Sequence, residues 1–290
     1  MTRPLLVVIA GPNGSGKSTL TDDGNLEQLG LALPKNYINP DDIRREIVAE
    51  RPDLDGKPAD QQAFRRAREL REEYRSGGLS FAFETVFSHP SNLVIMDACR
   101  TQGYDVRLLY VTTGNVEINV NRVEGRVRAG KHNVDPGKIR KRYTLSHKYF
   151  VRAFEIADYA WVFDTTGDGS TQLCIQKDDF LVSRNAPQYL KDLLLSRVNS
   201  RNVDRARIFA KFEEFSSSSI QDGAVNDGYV IEVTSHFFVQ RTLDGALILH
   251  DRLQFDERED ETISRVVGQR VSIVYEAGFG SVGTIGDGAS

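Results

Sequence analysis

The stretch Gly11-Pro12-Asn13-Gly14-Ser15-Gly16-Lys17-Ser18-Thr19 sets three glycines before a lysine and two hydroxyl residues. Residues 11, 16, 17 and 18 satisfy G-x-x-x-x-G-K-[ST]. That spacing lets a turn fold into a nest of backbone N–H donors around phosphate oxygens, to which the following helix adds its positive end and the lysine a mobile charge. All nine residues, 11 to 19, are therefore expected to hold the phosphates of ATP, or with less support GTP, and Ser18 to meet the accompanying Mg2+. A glycine-rich turn with a chance Lys-Ser is the plainer alternative. It leaves unexplained why an apolar run precedes the motif and a helix-compatible stretch follows it.

A phosphate loop alone does not select a reaction, so the other charged positions matter. "NYINPDDIRREI" puts Asp41 and Asp42 at a strand-to-helix junction, on the carboxyl edge of the sheet where ligands of α/β folds bind. Asp41 there could orient and deprotonate a substrate hydroxyl; either aspartate could equally cap the helix. Arg44, in the same segment, joins the candidate substrate residues. Glu84 and Thr85 follow the apolar "FAF" and should emerge at a strand end facing the same cleft, or else stand as solvated residues closing a strand. Between Arg122 and Arg142 lie eight Lys or Arg against two acids, Glu124 and Asp135. Arg122 and Arg126 share a helix face and could close over a triphosphate; Arg128, His132 and Arg140 belong to the same candidate lid, whose alternative is a solvated basic face. A guanine-reading Asn-Lys-x-Asp, expected of a GTPase, is not found.

These positions require a scaffold that brings several strand ends together. Residues 5 to 10, "SFAFETV" from Ser80, "YDVRLLYVT" from Tyr104 and "YAWVFDT" from Tyr159 read as buried parallel strands, and helical patterns fill the gaps between them. The expected fold is α/β: a P-loop kinase-like parallel sheet flanked by helices, then a helical connector and a small β-rich domain. The expected boundaries are 1–183, 184–223 and 224–290. Two helices, "APQYLKDLLLSRV" and "NVDRARIFAKFEEF", are expected in the connector, and a small barrel or meander from Tyr229 onward.

Composition narrows the classes. With 40% hydrophobic and 27% charged residues and no apolar run of about 20, a membrane span is not expected. No signal peptide is read at the N-terminus, so the expected location is cytoplasmic. Cys99 and Cys174 lie outside metal-ligand spacing. From Ala224 onward 5 arginines face 11 acidic residues, which makes nucleic acid a poor partner for that end.

Together "AGPNGSGKSTL", "YINPDDIRREI", "FAFETVFS", "GYDVRLLYV" and "NRVEGRVRAGKHNVDPGKIRKRY" resemble, in order and spacing, the zeta-toxin-like P-loop kinases over about residues 5 to 165. The resemblance implies transfer of the γ-phosphate of ATP to a small-molecule hydroxyl acceptor, UDP-N-acetylglucosamine among the nucleotide sugars. It also implies Asp41 as base, Glu84 and Thr85 at the acceptor sugar, and an antitoxin protein as partner. Relatives carry Gly-Gly-His where this chain has Gly130-Lys131-His132, which leaves the role of His132 open. Residues 227 to 283 resemble, more weakly, the KfrB-type domain. The rival reading is a nucleotide-binding regulatory or partner-binding module without phosphoryl transfer; it has no need for Asp41, Glu84 and the arginines together.

Overall fold

In the computed structural model, residues 3–22, 26, 31–128, 134–167, 172–177, 181–182, 186–216, 223–276 and 278–285 are described. They divide between two compact units, Met1–Lys191 and Asp192–Ser290.

The first unit is built on β1 (Leu5–Ala10), β2 (Asn36–Ile38), β3 (Phe81–Thr85), β4 (Asp105–Thr112) and β5 (Tyr159–Asp164). They pair in the order β2-β3-β1-β4-β5, all parallel. The apolar runs behave as strands covered on both faces must: five of the six residues of β1 are buried. Side chains pointing to one face, Val7, Ile9, Leu109, Val111, Trp161 and Phe163, pack with Leu20 and Leu26. Each such burial contributes on the order of 2 kcal/mol. β6 (Gln172–Gln176) and β7 (Leu181–Val182) extend the β5 edge antiparallel, an addition the sequence pattern did not announce.

Around the sheet run α1 (Lys17–Asp22), α2 (Pro40–Glu50), α3 (Lys57–Ser76), α4 (Ser91–Thr101), α5 (Val116–Arg128), α6 (Pro136–Ile156) and the short α7 (Gln188–Lys191). In α3 the buried positions are Ala59, Ala63 and Ala67, one face at four-residue spacing that lets the helix backbone approach β2 and β3 closely. The register sets Ile9 beside Glu84, Ala10 beside Thr85 and Ile38 beside Phe83. Three strands therefore end together where the phosphate loop begins.

The second unit holds β8 (Val225–Val233), β9 (Phe237–Thr242), β10 (Leu247–Asp251), β11 (Arg270–Glu276) and β12 (Phe279–Thr284) in one antiparallel sheet of order β10-β9-β8-β11-β12. It is an open sheet, three strands of it a meander turning at Asp244-Gly245, where Gly245 N donates to Thr242 O at 3.0 Å. α9 (Glu257–Ile263) contributes Ile263 to the core with Val230, Phe238, Phe255, Val271, Ile273 and Tyr275. The two helices expected in the connector form differently. A π turn, Asp192–Ser196, buries Leu193 and Leu194, and α8 (Arg197–Phe209) follows it directly. α8 belongs to this unit: Ile208 packs with Phe237 and Val239, and buried Arg201 forks onto Asp251 at 2.6 and 3.2 Å. Among the described residues no helix is long and apolar enough to cross a membrane.

Candidate functional site

The carboxyl ends of β1, β2 and β3 open into a cavity of about 1390 Å³, whose lining residues fall between Asn13 and Thr165. One wall is the phosphate loop. Its backbone takes positive φ at Gly11 (149°) and Gly14 (75°), where a Cβ would stand 2.0 Å from Val111 O and 2.6 Å from Asn119 O. Glycine is thus required twice over, by conformation and by the closeness of β4 and α5. Asn119 Nδ2 donates to Asn13 O at 2.7 Å and Thr165 Oγ1 donates to Ser15 O at 2.8 Å, so the loop is held in shape from outside.

Lys17 is buried at the start of α1. Its ammonium donates to Gly11 O (2.9 Å) and Pro12 O (3.1 Å) and lies 3.9 Å from Glu84 Oε1. Burial pulls the lysine below its ordinary pKa, with Glu84 and Asp41 opposing. Burial likewise raises Glu84, against the pull of Lys17, and Glu84 Oε2 also accepts from Tyr37 OH at 3.3 Å and Asn39 Nδ2 at 3.4 Å. Lys17 thus bridges the loop to the carboxylate at the end of β3.

The two readings of Asp41 separate here. The cap of α2 is Asn39, whose side chain accepts from Asp41 N at 2.9 Å, followed by Pro40 in the first turn. Asp42 pairs with Arg45. The Asp41 carboxylate is exposed, lines the cavity and, among the described residues, forms no hydrogen bond or ion pair.

The remaining candidates divide. Arg126 lines the cavity with its guanidinium likewise unengaged among the described residues. Arg122 also lines it but donates to Thr165, to Oγ1 at 3.0 Å and to the carbonyl, and so braces the loop. Arg44 lines the cavity while holding Asp60 at 2.7 Å and Asp55. Thr85 Oγ1 accepts from Phe87 N at 3.1 Å and faces Asn92. Arg140 lies in the second turn of α6, whose cap is Asp135, and forks onto Glu117 at 2.8 Å; Arg128 is 82% exposed beside Glu124; neither lines the cavity. His132 lies outside the described residues. Ser18 and Thr19 line the cavity in the first turn of α1, and the Ser18 hydroxyl has no hydrogen-bond partner among the described residues.

Sequence reasoning did not single out Asn39, Arg71, His89, Asn92, Arg142 or Thr165. Arg142 sits within the basic run, where its Nη1 donates to Asn13 Oδ1 at 3.4 Å. Asn39-Pro40 carried a usable signal, since Asn before Pro starts helices. The others become neighbours of the site only through tertiary packing.

The zeta toxin family model matches residues 1–161, more than half of the chain. The chain belongs to the zeta toxin family. Membership makes its first unit a P-loop protein of kinase type, in keeping with the β2-β3-β1-β4-β5 sheet. A KfrB Domain model matches residues 225–284. An uncharacterized protein of Haemophilus influenzae is 31% identical over 137 residues, 47% of this chain and 91% of that one. Among solved structures, a chain of the AvrRxo1-ORF1:AvrRxo1-ORF2 complex with sulphate ions shares the fold at a TM-score of 0.51 and 15% identity, over 66% of this chain and 64% of that chain. This chain thus spans less than two thirds of that protein's length. A chain from the PezAT chromosomal toxin-antitoxin system of Streptococcus pneumoniae aligns at a TM-score of 0.47 and 16% identity, over 74% of this chain and 89% of that one.

Proposed function

We propose that this zeta toxin family member is an ATP-dependent small-molecule kinase, acting as the toxin of a toxin-antitoxin pair. The observation that carries the reading is the meeting of Lys17, Arg126 and an unengaged Asp41 on one cavity, with the helix cap assigned to Asn39. A cap would explain Asp41 without chemistry; its freedom leaves the role of base.

In this reading Lys17 leaves the carbonyls of Gly11 and Pro12 for the phosphates, whose remaining oxygens meet the loop N–H groups. Asp41 takes the proton of the acceptor hydroxyl as that oxygen bonds to the γ-phosphorus, the bond to the β,γ-bridging oxygen breaks, and ADP leaves. Arg126 meets the charge that builds on the transferring group. Glu84, released from Lys17, accepts a hydrogen bond from the acceptor. The free hydroxyl of Ser18 suits a hard cation that prefers oxygen ligands, and Mg2+ bound there would neutralise phosphate charge.

Family resemblance makes UDP-N-acetylglucosamine the first acceptor to test and an antitoxin protein the expected partner. The test is mass spectrometry of a metabolite extract incubated with protein, Mg2+ and γ-labelled ATP, with UDP-N-acetylglucosamine in a parallel tube. Label on the nucleotide sugar supports both parts; label on another metabolite replaces the acceptor; no labelled product overturns the kinase.

A further inference from the structure

A peptide unit carries its C=O and the next residue's N–H on opposite sides of a rigid plane, so whatever holds the oxygen also aims the hydrogen. Two peptides of the phosphate loop are held in this way by side chains from outside it. Asn13 O receives Asn119 Nδ2 at 2.7 Å, and Ser15 O receives Thr165 Oγ1 at 2.8 Å. Both holding side chains are buried, Asn119 in α5 and Thr165 just past β5. Each is itself fixed. Thr113 Oγ1 donates to Asn119 Oδ1, which leaves the amide NH2 for Asn13. Arg122 Nη1 donates to Thr165 Oγ1 at 3.0 Å, so the single hydroxyl proton goes to the nearer of two carbonyls, Ser15 O rather than Thr112 O at 3.3 Å. Gly14 and Gly16, whose N–H groups belong to these two peptides, line the cavity, and among the described residues neither N–H has an acceptor. Ser15 N, between them, is spent on Pro12 O at 3.2 Å.

Gly14 and Gly16 both take positive φ, at 75° and 93°, and the glycine that permits this also leaves its peptide free to turn over. A turned peptide would present its carbonyl oxygen to a phosphate oxygen, which repels it. We propose that Asn119 and Thr165 are positioning residues: by holding the oxygens of Asn13 and Ser15 they aim Gly14 N–H and Gly16 N–H at the phosphate, Asn119 serving the first donor and Thr165 the second. The inference rests on the reading of this loop as the phosphate site and adds the side chains that set the direction of its donors. Asn119 and Arg122 stand three residues apart on one face of α5, so a single helix governs both peptides, one directly and one through Thr165.

The test follows the amide signals of Gly14 and Gly16 by NMR, in the full chain with isotopic nitrogen in its glycines, as Mg2+ and a non-hydrolysable ATP analogue are added. Both signals should move downfield in the native protein as the N–H groups meet phosphate. Asn119→Leu, which keeps the volume and donates nothing, should abolish the shift of Gly14 and spare that of Gly16; Thr165→Val should do the reverse. Each should weaken the analogue about tenfold, the worth of one hydrogen bond to a charged group. Thr165→Ser keeps the hydroxyl and should restore both the Gly16 shift and the affinity, which separates aim from mere stability. If the leucine variant misfolds, the valine and serine variants carry the test alone. No downfield shift in the native protein, loss of both shifts together in a folded variant, or native shifts in the folded variants overturns the proposal. No phosphoryl transfer enters the measurement: a protein that shows the paired pattern but labels no metabolite keeps these positioning residues and loses the kinase reading.

Discussion

Aspartate 41 and asparagine 39 are two residues apart and do different jobs, which makes them separable by experiment. Asn39 holds the end of α2 and also touches Glu84 through its amide. Asp41→Asn should therefore lower kcat by about 10²-fold or more with unchanged nucleotide affinity, since it removes a base and no cap. Asn39→Ala should instead cost about 1 kcal/mol in urea unfolding. If Asp41→Asn turns over normally, Asp41 is not the base. From sequence the two roles were inseparable, because caps and bases draw on the same residue types at the same strand-to-helix junction. Lys17→Ala should abolish transfer outright. It also strands the buried Glu84 without its ammonium, so Glu84 in that variant should titrate higher still, which carboxyl NMR can follow.

At the scale of elements, α5 serves the site at two places: it presses on the phosphate loop through Asn119 and carries Arg126 to the cavity mouth. Gly14→Ala puts a Cβ against Asn119 O and forces a positive φ on an L side chain. It should lose on the order of 1–3 kcal/mol in thermal unfolding together with nucleotide affinity. Arg126→Ala should leave the fold and ATP binding largely intact and strike kcat, because its charge matters most while the phosphoryl group moves. A loss confined to affinity would contradict that role. The phosphate loop was legible in the sequence because its donors are consecutive residues, and the long buried strands because their apolar runs are continuous. β2, three residues long, and the β6-β7 edge left no such run. Arg71 and His89 were illegible for another reason. They line one cavity only after the alanine face of α3 packs beside β3, and nothing local marks that placement.

For the molecule as a whole, the two units have separate cores and should respond to different perturbations. In the second, His250 is fully buried, stacked on Phe238, with Nδ1 at 2.6 Å from Tyr275 OH and Nε2 at 3.1 Å from Gln240 Oε1. Burial holds it down at about 3, against an ordinary value of 6.5. Between those values the unfolded chain binds the extra proton, so the stability His250 lends is present above about pH 6.5 and drains away as pH falls, at up to about 1.4 kcal/mol per pH unit. His250→Phe should be less stable at pH 7, where Gln240 and Tyr275 lose a partner, and the gap to the native protein should narrow at pH 5 in urea melts. A gap independent of pH would mean that the ring is protonated in the fold. The first unit should not need the second for chemistry. Among the described residues, every one lining its cavity precedes residue 166, and Tyr189, whose OH donates to Asp164 at 2.7 Å, belongs to the same unit. A chain ending at Lys191 is therefore expected to fold and to turn over ATP and acceptor as the full chain does. A chain ending at Ser219 should fare worse despite its greater length: it retains α8 while discarding β9 and β10, leaving Arg201 without Asp251 and Ile208 without Phe237 and Val239. Solubility and turnover of the two truncations decide the matter, and a folded but inactive chain ending at Lys191 would mean that the second unit contributes to catalysis.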